Sequence, residues 1–276
     1  MGQKVNSTVF RSNLKNYDWH FKYSNQNLEE STIFLYKNIE IQNYVTQLFK
    51  THNIIVKNFK IEHTNHTVNI LIYFYKLKSS NSIIIKKNLN KNSDKQLISY
   101  LITKILTLNT NLYLKNKLTQ IKTQDLSKQF EVKMTRNKNY LLTYKKCLKL
   151  FKKFLRNPLN KDIIKILFIV MSEKNSAKLL SEIISVYLTK NKKKHNLLFF
   201  LLKKVVTSLL TVNFSKVKGV KILVSGRFNG APRAKQKNLT LGVVPLQSLN
   251  SKISYHNSTS FTQNGTFGVK VWICEQ

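Results

Sequence analysis

The chain has 276 residues, room for about two domains at roughly 150 residues each. Hydrophobic residues make up 42% and aromatics 11%, enough for a packed core, but 47 Lys and Arg stand against 12 Asp and Glu, a formal net charge of +35. An excess of that size is more than a solvated surface needs, and it points to a polyanionic partner, nucleic acid before membrane.

The first residues, MGQKVNSTVFR, set Lys4 and Arg11 among small polar groups and read as an extended arm. An aromatic cluster follows at Tyr17, Trp19, Phe21 and Tyr23, expected to anchor the arm on a core rather than to stack on bases. Glu29 to Phe49 is helix-like, with Ile33, Tyr36, Lys37, Ile41, Tyr44, Val45, Leu48 and Phe49 near the spacing of one buried face. Ile54 to Lys60 and Val68 to Tyr75 alternate and are β-branched or aromatic, hence two strands around a turn at Thr64-Asn65-His66. His63 and His66 lack a third ligand in suitable context, so no metal site is expected.

Asp94 to Leu108 carries Leu97, Leu101, Ile105 and Leu108 on one stripe, a second helix, and Asn111 to Lys115 suggests a third strand. This is an α+β pattern with helices covering one sheet face. From about residue 117 to 175, lysine and asparagine interleave with apolar blocks, Tyr140 to Leu155 and Ile163 to Met171, broken at Asn157-Pro158. We read two helices there, in a loosely constrained insert whose basic faces fit either RNA or solvent. Ser176 to Val212 reads as two helices, or one long bent one. Ser176 is a candidate N-cap, and Leu179, Leu180, Ile183, Ile184 and Tyr187 form a stripe. Strands are then expected around Val220, Ile222 and Val224, around Ile253 and Tyr255, and at Val269, Val271 and Ile273. Helices followed by about four strands make a second α+β domain.

The most informative stretch is Gly219 to Leu246, GVKILVSGRFNGAPRAKQKNLTLGVVPL. Its first strand breaks at Ser225-Gly226-Arg227, and the loop continues through Asn229-Gly230-Ala231-Pro232, where glycine and proline set turn geometry. It carries Arg227, Arg233, Lys235 and Lys237 and no carboxylate, and no acid occurs between Glu182 and Glu275. A basic turn between strands suits a phosphate backbone. The abundance of Lys, Asn, Ile, Phe and Tyr, with alanine only at 177, 231 and 234, matches A/T-rich codons, as in many organelle genomes. Against that drift, this stretch holds Gly226, Gly230 and Gly242 and two of the five arginines.

Other chemistries find little support. Cys147 and Cys274 are the only cysteines, too few for a disulfide framework or zinc site. The acidic residues are scattered, and Glu29 and Glu30, as neighbours on a helix, point apart. No glycine lies between residues 3 and 218, which rules out a Gly-rich phosphate loop there, and Ser225-Gly226 lacks the upstream glycine of a nucleophile elbow. No enzyme and no cofactor are expected. No apolar run reaches the length of a membrane span, and the N-terminus shows no signal or transit leader, so an organellar protein of this kind is expected to be made inside the organelle.

VKGVKILVSGRFNGAPRAKQ with GVVPL, the opening MGQKVN and FR, and the closing GVKVWI resemble the universal small-subunit ribosomal protein three family in order and spacing. The resemblance covers about residues 1–76 and 176–276, is architectural for about 77–116, and leaves 117–175 as an insert like the expansions of mitochondrial members. It implies an N-terminal arm (1–28), a KH-type domain (29–116), a lineage-specific helical insert (117–175) and a C-terminal domain of helices stacked on a four-stranded sheet (176–276). It further implies a place in the head of the small ribosomal subunit. There the chain would bind rRNA and line the mRNA entrance channel beside small-subunit proteins ten and fourteen, as a single copy, off membranes, in the mitochondrion.

Two departures stand out. The Gly-x-x-Gly loop of KH domains corresponds to LKSSNSIIIKK (77–87), without glycine, so close backbone clamping is expected to be weakened or lost. In the helix that borders the mRNA entrance in relatives, Lys203 and Lys204 match basic residues, as do Lys194 and His195, whereas Phe199 and Phe200 stand where arginines would be. The expected RNA contacts are therefore Lys4, Arg11, Lys194, Lys203, Lys204, Arg227, Arg233, Lys235 and Lys237, with Gly226 and Gly230 shaping the turn. A free RNA-binding or RNA-processing protein with the same domains is the alternative.

Overall fold

The structure, a computed structural model, describes residues 5–12, 19–24, 28–64, 67–77, 118–136, 138–152, 155, 157–173, 176–191, 195–211 and 215–276. They form two compact units, residues 18–129 and residues 130–276 together with 1–17.

In the first unit, helix α1 (Leu28–Thr51) opens with Glu29 and Glu30, which favour the positive end of its dipole. It stops at Asn53, whose φ of 56° is a left-handed value asparagine tolerates. Strand β1 (Phe21–Lys22) lies parallel to β2 (Ile54–His63). Strand β3 (Thr67–Lys76) is antiparallel to β2, and β4 (Leu118–Asp125) is parallel to β3. Alternation places Ile54, Val56, Phe59 and Ile61 of β2 with Val68, Ile70, Ile72 and Phe74 of β3 in one core, closed by Ile41, Val45 and Phe49 of α1. A register shift between Val56 and Asn58 keeps Phe59 and Ile61 on that face. Phe21 packs on the same core and Tyr23 lies 5.8 Å from Phe34, so these two aromatics anchor the segment.

The helix at 94–108, the strand at 111–115 and all but Leu77 of the glycine-free loop lie outside the described residues. Strand β4 was not expected. Its sequence, LTQIKTQD, reads as a polar loop, but it is an edge strand whose Lys122, Thr123 and Gln124 are exposed.

Asp125 then starts helix α2 (Leu126–Arg136), its carboxylate accepting from the Ser127 backbone N–H at 2.8 Å and hydroxyl at 2.7 Å. In the second unit, α3 (Lys138–Leu150), α4 (Pro158–Ser172), α5 (Ala177–Lys190) and α6 (His195–Leu210) precede strands β5 (Val217–Gly226), β6 (Lys235–Gly242), β7 (Ile253–Thr262) and β8 (Gly265–Glu275). The antiparallel sheet has the order β6-β5-β8-β7. Helix α5 packs on β7 and β8, helix α6 on β5 and β6, and α4 covers both helices. The chain is thus α+β, with helices stacked on a four-stranded sheet in the C-terminal part.

The expectation of a loose insert fails at α4. Ile163, Ile164, Ile166, Leu167, Phe168, Ile169, Val170 and Met171 are all buried, with only Lys165 of that run half-buried, an apolar surface too broad for a helix lying at the edge of the fold. Phe130, Tyr140 and Tyr144 pack on Phe168 with centroids at 6.4, 5.6 and 5.2 Å, and the Tyr140 hydroxyl donates to the Phe168 carbonyl at 3.0 Å. Burial pushes the phenols of Tyr140 and Tyr144 up to about 12. Ser176 precedes α5, but its hydroxyl donates to the Val170 carbonyl at 3.1 Å and does not cap the helix.

Candidate nucleic-acid interface

The basic loop after β5 is built on an aromatic floor. Strand β5 ends at Gly226, where a Cβ would fall 2.3 Å from Cδ1 of the Phe267 ring, so only glycine lets β8 bring that ring in. Phe228 follows in a single 3-10 turn (Phe228–Gly230) and is buried against His195, Phe199 and Phe267, at centroid distances of 6.0, 5.8 and 5.4 Å. Asn229 and Gly230 then take left-handed φ values of 55° and 78°, reversing the chain. Both predicted turn-shaping glycines therefore lie at the turn. One acts through close approach and the other through φ.

His195, the first residue of α6, locks this turn. Its Nδ1 accepts from the Asn229 backbone N–H at 3.1 Å, which leaves Nε2–H to donate to the Asn191 carbonyl at 2.7 Å. In return the Asn229 side-chain oxygen accepts from the His195 backbone N–H at 3.3 Å, so the loop caps a helix distant in sequence. His195 is 2% exposed, and burial, reinforced by the charge of Lys237, lowers its pKa against the opposing Asn191 hydrogen bond. It is a neutral latch, not the cationic contact its place beside Lys194 suggests. The reciprocal pairing of a helix-start histidine with a loop asparagine left no local signal in the sequence.

The cations separate into two groups. Arg227 is exposed and donates its Nε–H to the Ala231 carbonyl at 2.9 Å, which fixes the guanidinium stem across the turn and leaves its outer edge to solvent. Arg233 and Lys235 are exposed, with no acceptor among the described residues. Lys203 and Lys204 are exposed on α6, opposite the buried Leu198, Leu201, Leu202, Val205, Val206 and Leu209, with the Lys204 ammonium 5.9 Å from the Phe200 ring centroid. These five side chains are available to phosphates.

Lys237 and Arg11 are not. The Lys237 ammonium sits 4.8 Å from the centroid of Phe228 and 5.2 Å from that of Phe199, and it donates to the Asn196 side-chain oxygen at 2.5 Å. It seals the aromatic floor. Arg11 is 5% exposed, and its guanidinium donates to the carbonyls of Ser7 at 3.0 Å, Leu246 at 2.8 Å and Ser248 at 2.7 Å. It ties the N-terminal arm to the segment after β6, so the expected RNA contact is corrected to an internal clamp. Lys4 and Lys194 lie outside the described residues. Cys147 and Cys274 are free and buried. Among the described residues no helix is long and apolar enough to cross a membrane.

Residues 202–273 match the family described as ribosomal protein S3, C-terminal domain. This span covers part of α6 and runs through the basic loop into β8. Over 58 residues the chain is 55% identical to small ribosomal subunit protein uS3c of Tetradesmus obliquus, covering 21% of this chain and 8% of that protein. It is 49% identical over 57 residues to uS3c of Cyanidioschyzon merolae (21% and 28%), and 40% identical over 73 residues to uS3 of Fusobacterium nucleatum (26% and 33%). The chain thus spans a third or less of the length of these relatives. The family match takes in the basic loop with Phe228 and Phe267 and begins after His195 and Phe199, and over that span, residues 202–273, the chain is similar to the C-terminal domain of ribosomal protein S3.

Proposed function

We propose that the chain is a structural, RNA-binding constituent of the small subunit of an organellar ribosome. The observation that carries this is the loop of Arg227, Arg233 and Lys235, exposed, without carboxylate partners among the described residues, and held rigid on a buried aromatic floor. Preset cations lose little side-chain freedom when they meet phosphates, and such contacts position an RNA-binding protein on its target. Relatives named small ribosomal subunit protein supply the setting.

The finer assignments rest on the resemblance and on composition. The chain would sit in the subunit head on rRNA, beside proteins ten and fourteen, as a single copy, with Lys203 and Lys204 facing mRNA at the entrance channel. The A/T-rich codon signature and the 117–175 segment favour the mitochondrion. The first unit would be a KH-type fold without its backbone clamp, because 77–87 has no glycine. Strong single-strand affinity of the chain that survives loss of the C-terminal cations but not changes in 77–87 would contradict that assignment.

The test is co-sedimentation of the full chain with small ribosomal subunits at moderate salt. An integral constituent stays with the particle. A free RNA-binding or RNA-processing protein making six to ten phosphate contacts would lose roughly a thousandfold or more in affinity between 50 and 200 mM salt and be washed off. Recovery only in the light fractions refutes the proposal.

A further inference from the structure

Beside the basic loop lies a cleft of about 420 Å3, lined by Leu188 and Thr189 at the end of α5, by His195, and by Phe261, Thr262, Gln263 and Asn264 at the tip of the β7–β8 hairpin. Its size is within the range of small-molecule sites, about 300–1,000 Å3. Three features give it a chemistry.

Phe261 is 76% exposed, a large aromatic at a hairpin tip where turn-forming polar residues are usual. Gln263 and half-buried Asn264 make no hydrogen bond to a described residue, so two amides, each able to donate and to accept, border the cleft uncommitted. The cleft also adjoins the basic loop. A Cβ on Gly265 would lie 3.9 Å from Cδ of Arg227, one on Gly230 would lie 3.5 Å from the Asn264 amide nitrogen, and His195 belongs to both the cleft wall and the turn latch.

We propose that this cleft takes an unpaired nucleobase of RNA, stacked on Phe261 with its edge met by the Asn264 and Gln263 amides, while Arg227 holds the adjoining phosphate. This rests on the RNA-binding reading of the basic loop and adds a base-binding subsite to it. Aromatic stacking with amide contacts to a base edge is how single-stranded RNA is read, whereas phosphate contacts alone accept any backbone. Charge selects the occupant. No lining residue is ionised near neutral pH, since His195 is held neutral, and the stretch from 183 to 274 is without acid, which suits a base carried on a phosphodiester chain.

The test is binding of the full chain to a short mixed-sequence single-stranded oligoribonucleotide and to the matching duplex, by fluorescence anisotropy across a salt series. Phe261→Ala is expected to weaken single-strand binding roughly tenfold or more with the salt slope unchanged, because stacking neutralises no phosphate. It should leave duplex binding as it was, and Phe261→Trp should retain single-strand affinity. Asn264→Ala should lower single-strand affinity several-fold. Arg227→Ala should weaken both RNAs and make the slope shallower by about one.

Unchanged single-strand affinity in Phe261→Ala overturns the subsite, as does an equal loss for single strand and duplex. If Phe261→Ala binds the oligomer normally but is retained less well by small subunits, the cleft seats a protein neighbour instead. If Arg227→Ala is without effect while Phe261→Ala weakens single-strand binding, the phosphate role of the loop fails and the base subsite stands without it. Failure of both variants to alter binding removes both.

Discussion

Gly226→Ala should disable the basic loop without touching a cation. The new Cβ would lie 2.3 Å from Cδ1 of Phe267 and 2.8 Å from both Cγ and Cε1, distances no carbon pair adopts. Phe267 is 1% exposed and packed between His195 at 5.2 Å and Phe228 at 5.4 Å, so it cannot swing aside without displacing the ring that carries the turn. Overpacking of this kind costs about 1–3 kcal/mol. The reduced freedom of the unfolded chain returns roughly 0.4–1 kcal/mol. A net loss of about 1–2 kcal/mol should appear as a lower urea midpoint with an unchanged m value. RNA affinity should fall under conditions where the variant is fully folded, because Arg227 and Arg233 are no longer presented together. Phe267→Leu in the same chain makes room for the methyl and should recover part of the lost stability, giving a non-additive double-mutant cycle. A Gly226→Ala variant as stable as the parent and with full RNA affinity would refute this account of the loop.

Other consequences can be measured separately. Arg11→Lys should destabilise the second unit nearly as much as Arg11→Ala, about 2 kcal/mol or more, since an ammonium cannot serve the Ser7, Leu246 and Ser248 carbonyls with a planar fork; equal stability of Arg11→Lys and the parent in denaturant would refute the clamp. His256 is held down to about 4, first by burial and then by the charge of Lys178. Its neutral form is thus favoured on folding, and the stability it supports is complete above pH about 6.5 and drains away towards pH 4, by about 3 kcal/mol at 1.36 kcal/mol per unit. His256→Gln should flatten that part of a stability–pH curve. The pair Lys203→Ala and Lys204→Ala should leave the melting temperature within about a degree or two, as exposed surface changes do, yet reduce the salt slope of RNA binding by about two.

Elements whose residues carry their own periodicity were legible in the sequence. Helix α1, strands β2, β3, β5, β7 and β8, and the break at Asn157-Pro158 all appear where spacing placed them, although Ile33 and Tyr36, expected on the buried face of α1, are exposed, and Ile41, Val45 and Phe49 carry that face. Strand β4 escaped because a polar edge strand has no alternating face to betray it. The centrality of α4 was hidden for a different reason. The same run Ile163 to Met171 fits a buried or a half-exposed helix, and only its neighbours Phe130, Tyr140 and Tyr144 decide between them. In the candidate site, the loop and its glycines could be read, but the sorting of its cations could not. Lys235 and Lys237 differ by two positions on an edge strand, and the second is drawn onto rings supplied by α6 and the 228 turn. Arg11 binds carbonyls far along the chain. Sequence shows a cation; whether something else in the fold already holds it is a tertiary fact.

The order of strands β6-β5-β8-β7 bears on when the basic loop can exist at all. Its cations belong to residues 227–235, but the ring beneath them, Phe267, arrives with β8, which is also the second partner of β5. A chain emerging from its N-terminal side has every arginine of the loop before it has the surface that arranges them. Until β8 pairs with β5, Phe228 lacks Phe267 to rest on and Arg227 has no defined turn to brace. The half-made domain is then merely basic, and the RNA engagement proposed for the loop would wait on the last strand of the sheet, so premature truncation between 243 and 264 should yield a polycation without an address.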